Sequence, residues 1–356
     1  MTSEQSSPPD SISPRWIKRP EGSNWGDFGP NDQRGRLNLL TPAKVLEGIA
    51  EVKVGQSFCL SLPLDLPGGN VLNARRHPPV LRPTIRNGRF NVNYALRQDS
   101  PQLTDVMSDD AVLLYTQYST QWDGLAHVGQ LFDADGDGLP EPLYYNGYRA
   151  GIDVEAPVGE ASPYVTVPES HARALGIEKM AETGVQGRGV MIDLHAHFGR
   201  EHRLVGLDDL EAVMASDGVS VEPGDMVCLH TGFAEMLIEM GGEPDPHKLE
   251  HSCCVLDGRD DRLLDWISSS GLSVLVADNY AVEAHPAGAC DAPEHSAVPL
   301  HELCLFKLGI HLGELWHLTP LANWLREHHR SRFLLTAPPL RLPGAIGSPT
   351  TPVATV

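Results

Sequence analysis

The sequence predicts an α/β fold built around one central sheet, and three observations carry that expectation. Apolar runs of strand length alternate with helical patterns along the second half of the chain, as they do in layered α/β domains. Glycine and proline supply 34 and 29 of the 356 residues, above their usual combined share of about 12 %. That excess means many turns and no coiled coil. No internal repeat or linker-like stretch divides the chain, so a single domain over residues 21–356 is expected, behind a flexible Ser/Pro-rich arm of residues 1–20.

The elements follow in order. Thr41-Pro42 opens a helix, with threonine as N-cap and proline at the first helical position. Val45, Leu46, Ile49 and Val52 give it one apolar stripe. Phe58, Leu60, Leu62 and Leu64 alternate as a strand does. From Pro67 to Gln121 the chain is polar and proline-rich, with one strand-like patch at Ala111–Tyr115. Helical periodicity over His171–Glu182 precedes the strand-like run Val190–Leu194. Leu210, Val213 and Met214 share a helix face, and Met226–His230 reads as the next strand. A helix marked by Leu263, Leu264, Trp266 and Ile267 leads to the strand Leu272–Ala277. The last pair is a helix over Pro320–Glu327 and a strand over Phe333–Thr336.

Charge narrows the function. With 47 acidic and 27 basic residues the net charge is −20, which argues against nucleic acid and against an anionic membrane surface. No apolar run approaches the roughly 18 residues of a membrane span. The N-terminus lacks a charged-then-apolar leader. Six cysteines without a CxxC pair, two of them adjacent, do not make a disulfide framework. Cys59, Cys228 and Cys304 lie in apolar runs and read as core. No glycine-rich phosphate loop follows a strand. A soluble cytoplasmic protein acting on a small molecule is the expectation.

The densest polar cluster is Gln117-Tyr-Ser-Thr-Gln121-Trp-Asp123-Gly-Leu-Ala-His127. Gln117, Gln121 and Asp123 offer oxygen donors, and His127 follows closely. Hard oxygen ligands beside an imidazole are what a divalent cation needs to activate water. The same residues also suit a hydrogen-bonded loop.

This stretch resembles the signature of the cyclase-like metal hydrolases, the family of bacterial kynurenine formamidase and isatin hydrolase, written His-x-Gly-Thr-His-x-Asp-x-Pro-x-His. Thr120, Asp123 and His127 match the motif Thr, Asp and final His. Gln117 and Gln121 stand where the two metal-binding histidines usually stand, and Leu125 replaces the proline. Further segments resemble a longer-chain branch of that family: Gly187-Arg-Gly-Val-Met-Ile-Asp193, Pro223-Gly-Asp-Met-Val, Ala277-Asp-Asn-Tyr-Ala-Val-Glu283, Leu312-Gly-Glu-Leu-Trp316 and Ala337-Pro-Pro-Leu. The likeness runs from about residue 110 to the end.

The resemblance implies a swivelling β/β/α-type domain assembled as a homo-oligomer, a dimer or tetramer. It implies metal-assisted hydrolysis of an amide, cyclic amide or lactone. His301 and Glu314 match the family's C-terminal metal ligands, giving the set Gln121, Asp123, Glu314 and His301, with Gln117 as a further candidate. An amide oxygen is a weaker donor than imidazole, so the two glutamines shift the site towards Mn²⁺ and away from Zn²⁺, with one metal per chain. His127 is then the general base and acid. Trp122 is expected to wall a cyclic or aromatic substrate. A cyclase or lyase acting through an enolate, or a non-catalytic relic, are the alternatives.

Three other groups stand out. Asp133, Asp135 and Asp137 open like an EF-hand loop, a structural Ca²⁺ candidate, but position 12 falls on Tyr144. His195 and His197, followed by His202, form an HxH pair that shares one face on a strand, and His197 is a candidate for the substrate pocket. Asn279 and Glu283 close a buried strand, where α/β folds gather substrate-binding groups.

Overall fold

The computed structural model describes residues 15–157 and 169–356. Most of the expected flexible arm, residues 1–14, lies outside them. Residues 15–20 rest on the body: Trp16 packs edge-on to Trp25, and the Ile17 amide donates to the Ala134 carbonyl oxygen at 2.8 Å.

Nine strands make one mixed sheet: β1 (Ser57–Cys59), β2 (Gln121–Asp123), β3 (Gln186–Asp193), β4 (Met226–His230), β5 (Val274–Ala277), β6 (His311–Glu314), β7 (Arg332–Thr336), β8 (Gly347–Pro349) and β9 (Val353–Thr355). Their order across the sheet is β1-β9-β7-β3-β4-β5-β6-β2-β8. The centre, β3 to β6, is parallel, and both flanks are antiparallel. The parallel strands are almost wholly buried, and β4 and β5 read as near-continuous apolar runs, as a sheet covered on both faces requires. Five helices matter most: α1 (Pro42–Ala50), α2 (Leu194–Phe198), α3 (Leu207–Asp217), α4 (Asp261–Ser270) and α5 (Thr319–Glu327). The protein is therefore α/β, with apolar cores on both faces of the sheet.

Four expectations change. The stripe on α1 does not face the core, since Leu46 and Ile49 are 65 % and 49 % exposed. Lys44 and Gly48 are buried instead. Gly48 lets the helix touch the backbone of Gly187, where a Cβ would stand 2.6 Å from the carbonyl carbon. Lys44 reaches Asp225, which also binds Arg188 at 2.8 Å. The helix expected over His171–Glu182 is confined to Glu178–Ala181, because His171–Ala172 pairs with Val154–Glu155 and Leu175 adopts φ 62°. The alternating Phe58–Leu64 run keeps only Ser57–Cys59 as strand.

The fourth concerns the proline-rich segment. It forms an arm of short antiparallel pairs, Val80–Pro83 with Asp110–Leu113, Ile85–Arg86 with Arg89–Phe90, and Tyr94–Ala95 with Val106–Met107. The strand-like patch at 111–115 falls in its base.

Candidate metal centre

The centre is assembled where β6 meets β2. Glu314 pairs with Gln121 and Leu312 with Asp123, so the side chains of Gln121, Asp123 and Glu314 project from one face of the sheet. Trp122, between them, projects from the other. Glu314 ends β6, and Leu315 turns the chain away at φ 56°. Thr120, the motif threonine, fixes this corner: its hydroxyl donates to the Leu315 carbonyl oxygen at 2.5 Å and accepts from the Leu62 amide at 2.8 Å.

His301 arrives from a different element, the helical turn Pro299–His301 that continues as a π-helical segment, Glu302–Leu308. Glu283 holds it there. The fully buried Glu283 carboxylate accepts from the Leu300 amide at 3.0 Å, the His301 amide at 2.9 Å and His301 Nδ1 at 2.8 Å. Gly258 makes room for it, since a Cβ there would stand 2.1 Å from Glu283 Oε2. His301 Nε2 then lies 3.4 Å from Glu314 Oε1. One ligand atom from each of Asp123, His301 and Glu314 falls within 4.8 Å of the others, and all three residues are buried.

The electrostatics suit a cation. Burial raises the Asp123 pKa above the ordinary carboxylate value, and the Glu314 charge adds to that. Burial opposes ionisation of Glu314 as well, but His301 holds it below its ordinary value. His301 loses solvation, which lowers its pKa, yet the Glu283 and Glu314 carboxylates bring it up to about 10. Gln121 Nε2 donates to Asp123 Oδ1 and to Glu314 Oε2, each at 3.2 Å. Asp123 Oδ2 and Gln121 Oε1 are buried without a partner among the described residues. Buried acceptors rarely go unpaired, and two in one cluster mark a place for a positive centre.

The other candidates are distributed as follows. His127 has a side chain 23 % exposed, with Nε2 3.8 Å from Asp123 Oδ1. It faces a groove of about 620 Å³ shared with Gln117, Tyr144 and the Leu342–Ile346 segment. Gln117 accepts from the Thr116 hydroxyl at 2.7 Å through its amide oxygen. Asn279 donates to the Cys254 carbonyl oxygen and borders a separate cavity of about 250 Å³ with Tyr280 and His285.

Two roles expected from the sequence, those of Trp122 and His197, are corrected, and the surroundings of two other candidates are defined. Trp122 does not wall the site: it is fully buried on the opposite face, its Nε1 donates to the Ala337 carbonyl oxygen at 2.7 Å, and its ring meets Trp316 edge-on at 5.0 Å. Glu283 holds His301, and its buried carboxylate also borders the cavity that Asn279 lines. His197 is remote, because α2 follows β3, which two strands, β4 and β5, separate from β6. It binds Asp217 at 3.0 Å, and the HxH pair sits on a helix, where residues i and i+2 do not share a face. Asp133, Asp135 and Asp137 do cluster within 4.8 Å. Their loop joins two antiparallel strands, Gln130–Phe132 and Glu141–Leu143, instead of two EF-hand helices. Lys18 lies 3.6 Å from Asp133 and Arg149 3.9 Å from Asp135, so cationic side chains already offset the charge.

A family model for cyclases matches residues 60–284. No curated protein matches the chain by sequence. Among solved structures, one described as a novel cyclase is 29 % identical, with 94 % of this chain and 97 % of that chain covered and a TM-score of 0.70. Isatin hydrolase A from Ralstonia solanacearum is 14 % identical over 84 % of this chain and 91 % of its own, with a TM-score of 0.53. A second isatin hydrolase, bound to the product analogue thioisatinate, is 14 % identical over 88 % and 95 %, with a TM-score of 0.51. The last two share the fold. With the family model spanning well over half of its length and the motif residues gathered at one corner of the sheet, this chain belongs to the cyclase family.

Proposed function

We propose that this protein is a metal-dependent hydrolase that opens an amide, cyclic amide or lactone in a small cyclic or aromatic substrate. The observation that carries this reading is the convergence of Asp123, His301 and Glu314, with His127 standing between that cluster and an open groove. Two carboxylates, one of them with an unpartnered buried oxygen, and one imidazole fit a divalent cation, and the weight of oxygen favours Mn²⁺ over Zn²⁺. When bound, such a cation supplies a Lewis acid and lowers the pKa of an attacking water. Asp123, His301 and Glu314 would hold it, and Gln121, whose Nε2 faces the two carboxylates, would offer its oxygen only with the amide turned over. His127 takes the proton from the attacking water and returns it to the leaving group, the usual general acid–base cycle. The nearby Asp123 charge stabilises the imidazolium in between.

The test is a screen of N-formyl amines, isatin-like lactams and unsaturated lactones, read by mass. A product heavier by one water is expected, with activity lost on chelation and restored better by Mn²⁺ than by Zn²⁺. A product of unchanged mass, or turnover indifferent to chelation, counts against hydrolysis at this centre.

Assembly as a homo-oligomer belongs to the same reading. Leu81, Ile85, Phe90, Val106 and Leu113 of the arm are 60–70 % exposed. With the valines beside them they leave apolar area on the order of the ~800 Å² that one partner of a standard interface buries. A second copy of the chain is the occupant we assign. Light scattering should report an oligomer that Leu81→Lys with Phe90→Lys dissociates, whereas a monomeric parent protein at micromolar concentration would refute it.

A further inference from the structure

Arg76 is a half-buried arginine beside the metal centre with no carboxylate of its own. Its Nη1 donates to the Gln117 carbonyl oxygen at 2.6 Å, and no ion pair engages it among the described residues. The turn that carries it is tied down: the Arg76 amide donates to the Asn73 carbonyl oxygen at 3.0 Å, and Asn73 Nδ2 to the Tyr280 hydroxyl at 3.2 Å. Arg76, Gln117, Tyr118 and Tyr280 line one recess, and Gln117 also lines the groove that holds His127. Behind the larger effects of burial and of the nearer charges, the arginine charge favours the ionised forms of both Asp123 and Glu314, although neither lies within ion-pair distance of it.

A guanidinium carries five N–H donors in a planar fork that matches a carboxylate bidentately. Only Nη1 has a protein acceptor, and the other N–H groups are not sealed from solvent, so they stand open to a further acceptor. The two carboxylates of the centre cannot be that acceptor once a cation takes them, so the arginine charge is left for a ligand. One arginine beside neutral side chains suits a single carboxylate better than a phosphate, which gathers several donors or a helix N-terminus.

We infer that Arg76 is an anion subsite of the cleft, and that the ligand bound there carries a carboxylate in reach of the guanidinium while its reacting carbonyl faces the Asp123–His301–Glu314 cluster. This inference rests on the hydrolase reading and narrows it to carboxylate-bearing amides and lactones. Arg76 is a binding residue in this scheme and holds no proton of the reaction.

The experiment uses Mn²⁺-loaded full-length protein with benzoate as probe and benzamide as its neutral twin, followed by calorimetry and thermal shift. Benzoate should bind the parent protein and benzamide at least 10-fold more weakly. Arg76→Ala should lose benzoate affinity by at least 10-fold, Arg76→Lys should keep part of it, and Mn²⁺ stoichiometry should be the same in all three proteins. Benzoate binding that survives Arg76→Ala, held through the cation alone, overturns the inference, and so does equal affinity for benzamide. A parent protein that takes up no cation would remove the hydrolase reading and this one with it. One that takes up the cation while benzoate ignores Arg76 removes only this one.

Discussion

Glu283 Oε1 receives the Nδ1–H of His301 at 2.8 Å, and that single bond decides which imidazole nitrogen faces the candidate metal centre. With Nδ1 committed, only Nε2 is left towards Glu314, at 3.4 Å. Carboxylates behind metal-binding histidines fix tautomer and orientation in this way, and losing them commonly costs 10–100-fold in metal affinity. Glu283→Gln keeps one acceptor oxygen, enough for the His301 groups or for the Leu300 amide, and removes the charge. Its Mn²⁺ affinity, measured by chelator competition, should fall by roughly 10–100-fold with the fold intact. Glu283→Ala should also lower the melting temperature, because two buried amides lose their acceptor. Unchanged affinity in Glu283→Gln would mean that His301 is not a ligand.

The protonation of His301 gives a second prediction. Without metal its pKa, brought up to about 10 by Glu283 and Glu314, lies above the ordinary value of 6.5. A group whose folded pKa is raised contributes stability that is complete below its unfolded value and lost as pH rises through the folded one. The metal-free protein should therefore lose stability between about pH 6.5 and 10. A ligand must shed its proton to bind metal, so cation uptake should release close to one proton near neutrality, and affinity should rise with pH. Calorimetry in buffers of different ionisation enthalpy counts that proton. Release of none would place His301 outside the coordination.

The sheet was legible where its strands are buried on both faces. Met226–His230 falls on its expected bounds, the expected strand at 272–277 contains the observed one, and the expected 333–336 lies within the observed Arg332–Thr336, because a continuous apolar run has few other homes. The two strands that carry the centre were illegible as strands. Gln121–Asp123 is three residues long with two polar side chains, and His311–Glu314 begins and ends on ionisable ones. The family resemblance still picked out Asp123, His301 and Glu314, which the structure brings together, since residue identity survives where periodicity fails. What it could not supply was the face each side chain takes. Trp122 looked like a pocket wall from its neighbours in sequence and is core by strand alternation. Glu283 and Arg76 bond to partners 18 and 41 residues away, His301 and Gln117, contacts that no local pattern records.

The reassignment of Trp122 is itself testable. Its indole is fully buried, hydrogen-bonded to Ala337 and set against Trp316 across a gap that Gly313 leaves open, where a Cβ would stand 2.9 Å from Trp316 Nε1. Trp122→Ala should cost about 3–5 kcal/mol of stability, the usual range for a buried aromatic. Trp122→Phe should cost less and leave KM unchanged per folded molecule. A KM that rises several-fold in Trp122→Phe, at unchanged melting temperature, would restore the substrate-wall role.

The last prediction separates holding the cation from moving the proton. Asp123→Asn keeps the side-chain shape and removes a buried negative charge that has one oxygen without a partner. Metal content and activity should fall together. His127 lies outside the buried trio, partly exposed to the groove and 3.8 Å from Asp123 Oδ1. His127→Gln should keep the metal and lower turnover by roughly 10²–10⁴-fold, the usual contribution of general acid–base catalysis. The two variants are compared by metal stoichiometry, melting temperature and initial rate on one substrate. If His127→Gln loses the metal as completely as Asp123→Asn, His127 is a ligand and the proton must travel through another group. If it keeps both metal and rate, His127 is only a wall of the groove, and the proton-transfer role assigned to it here falls.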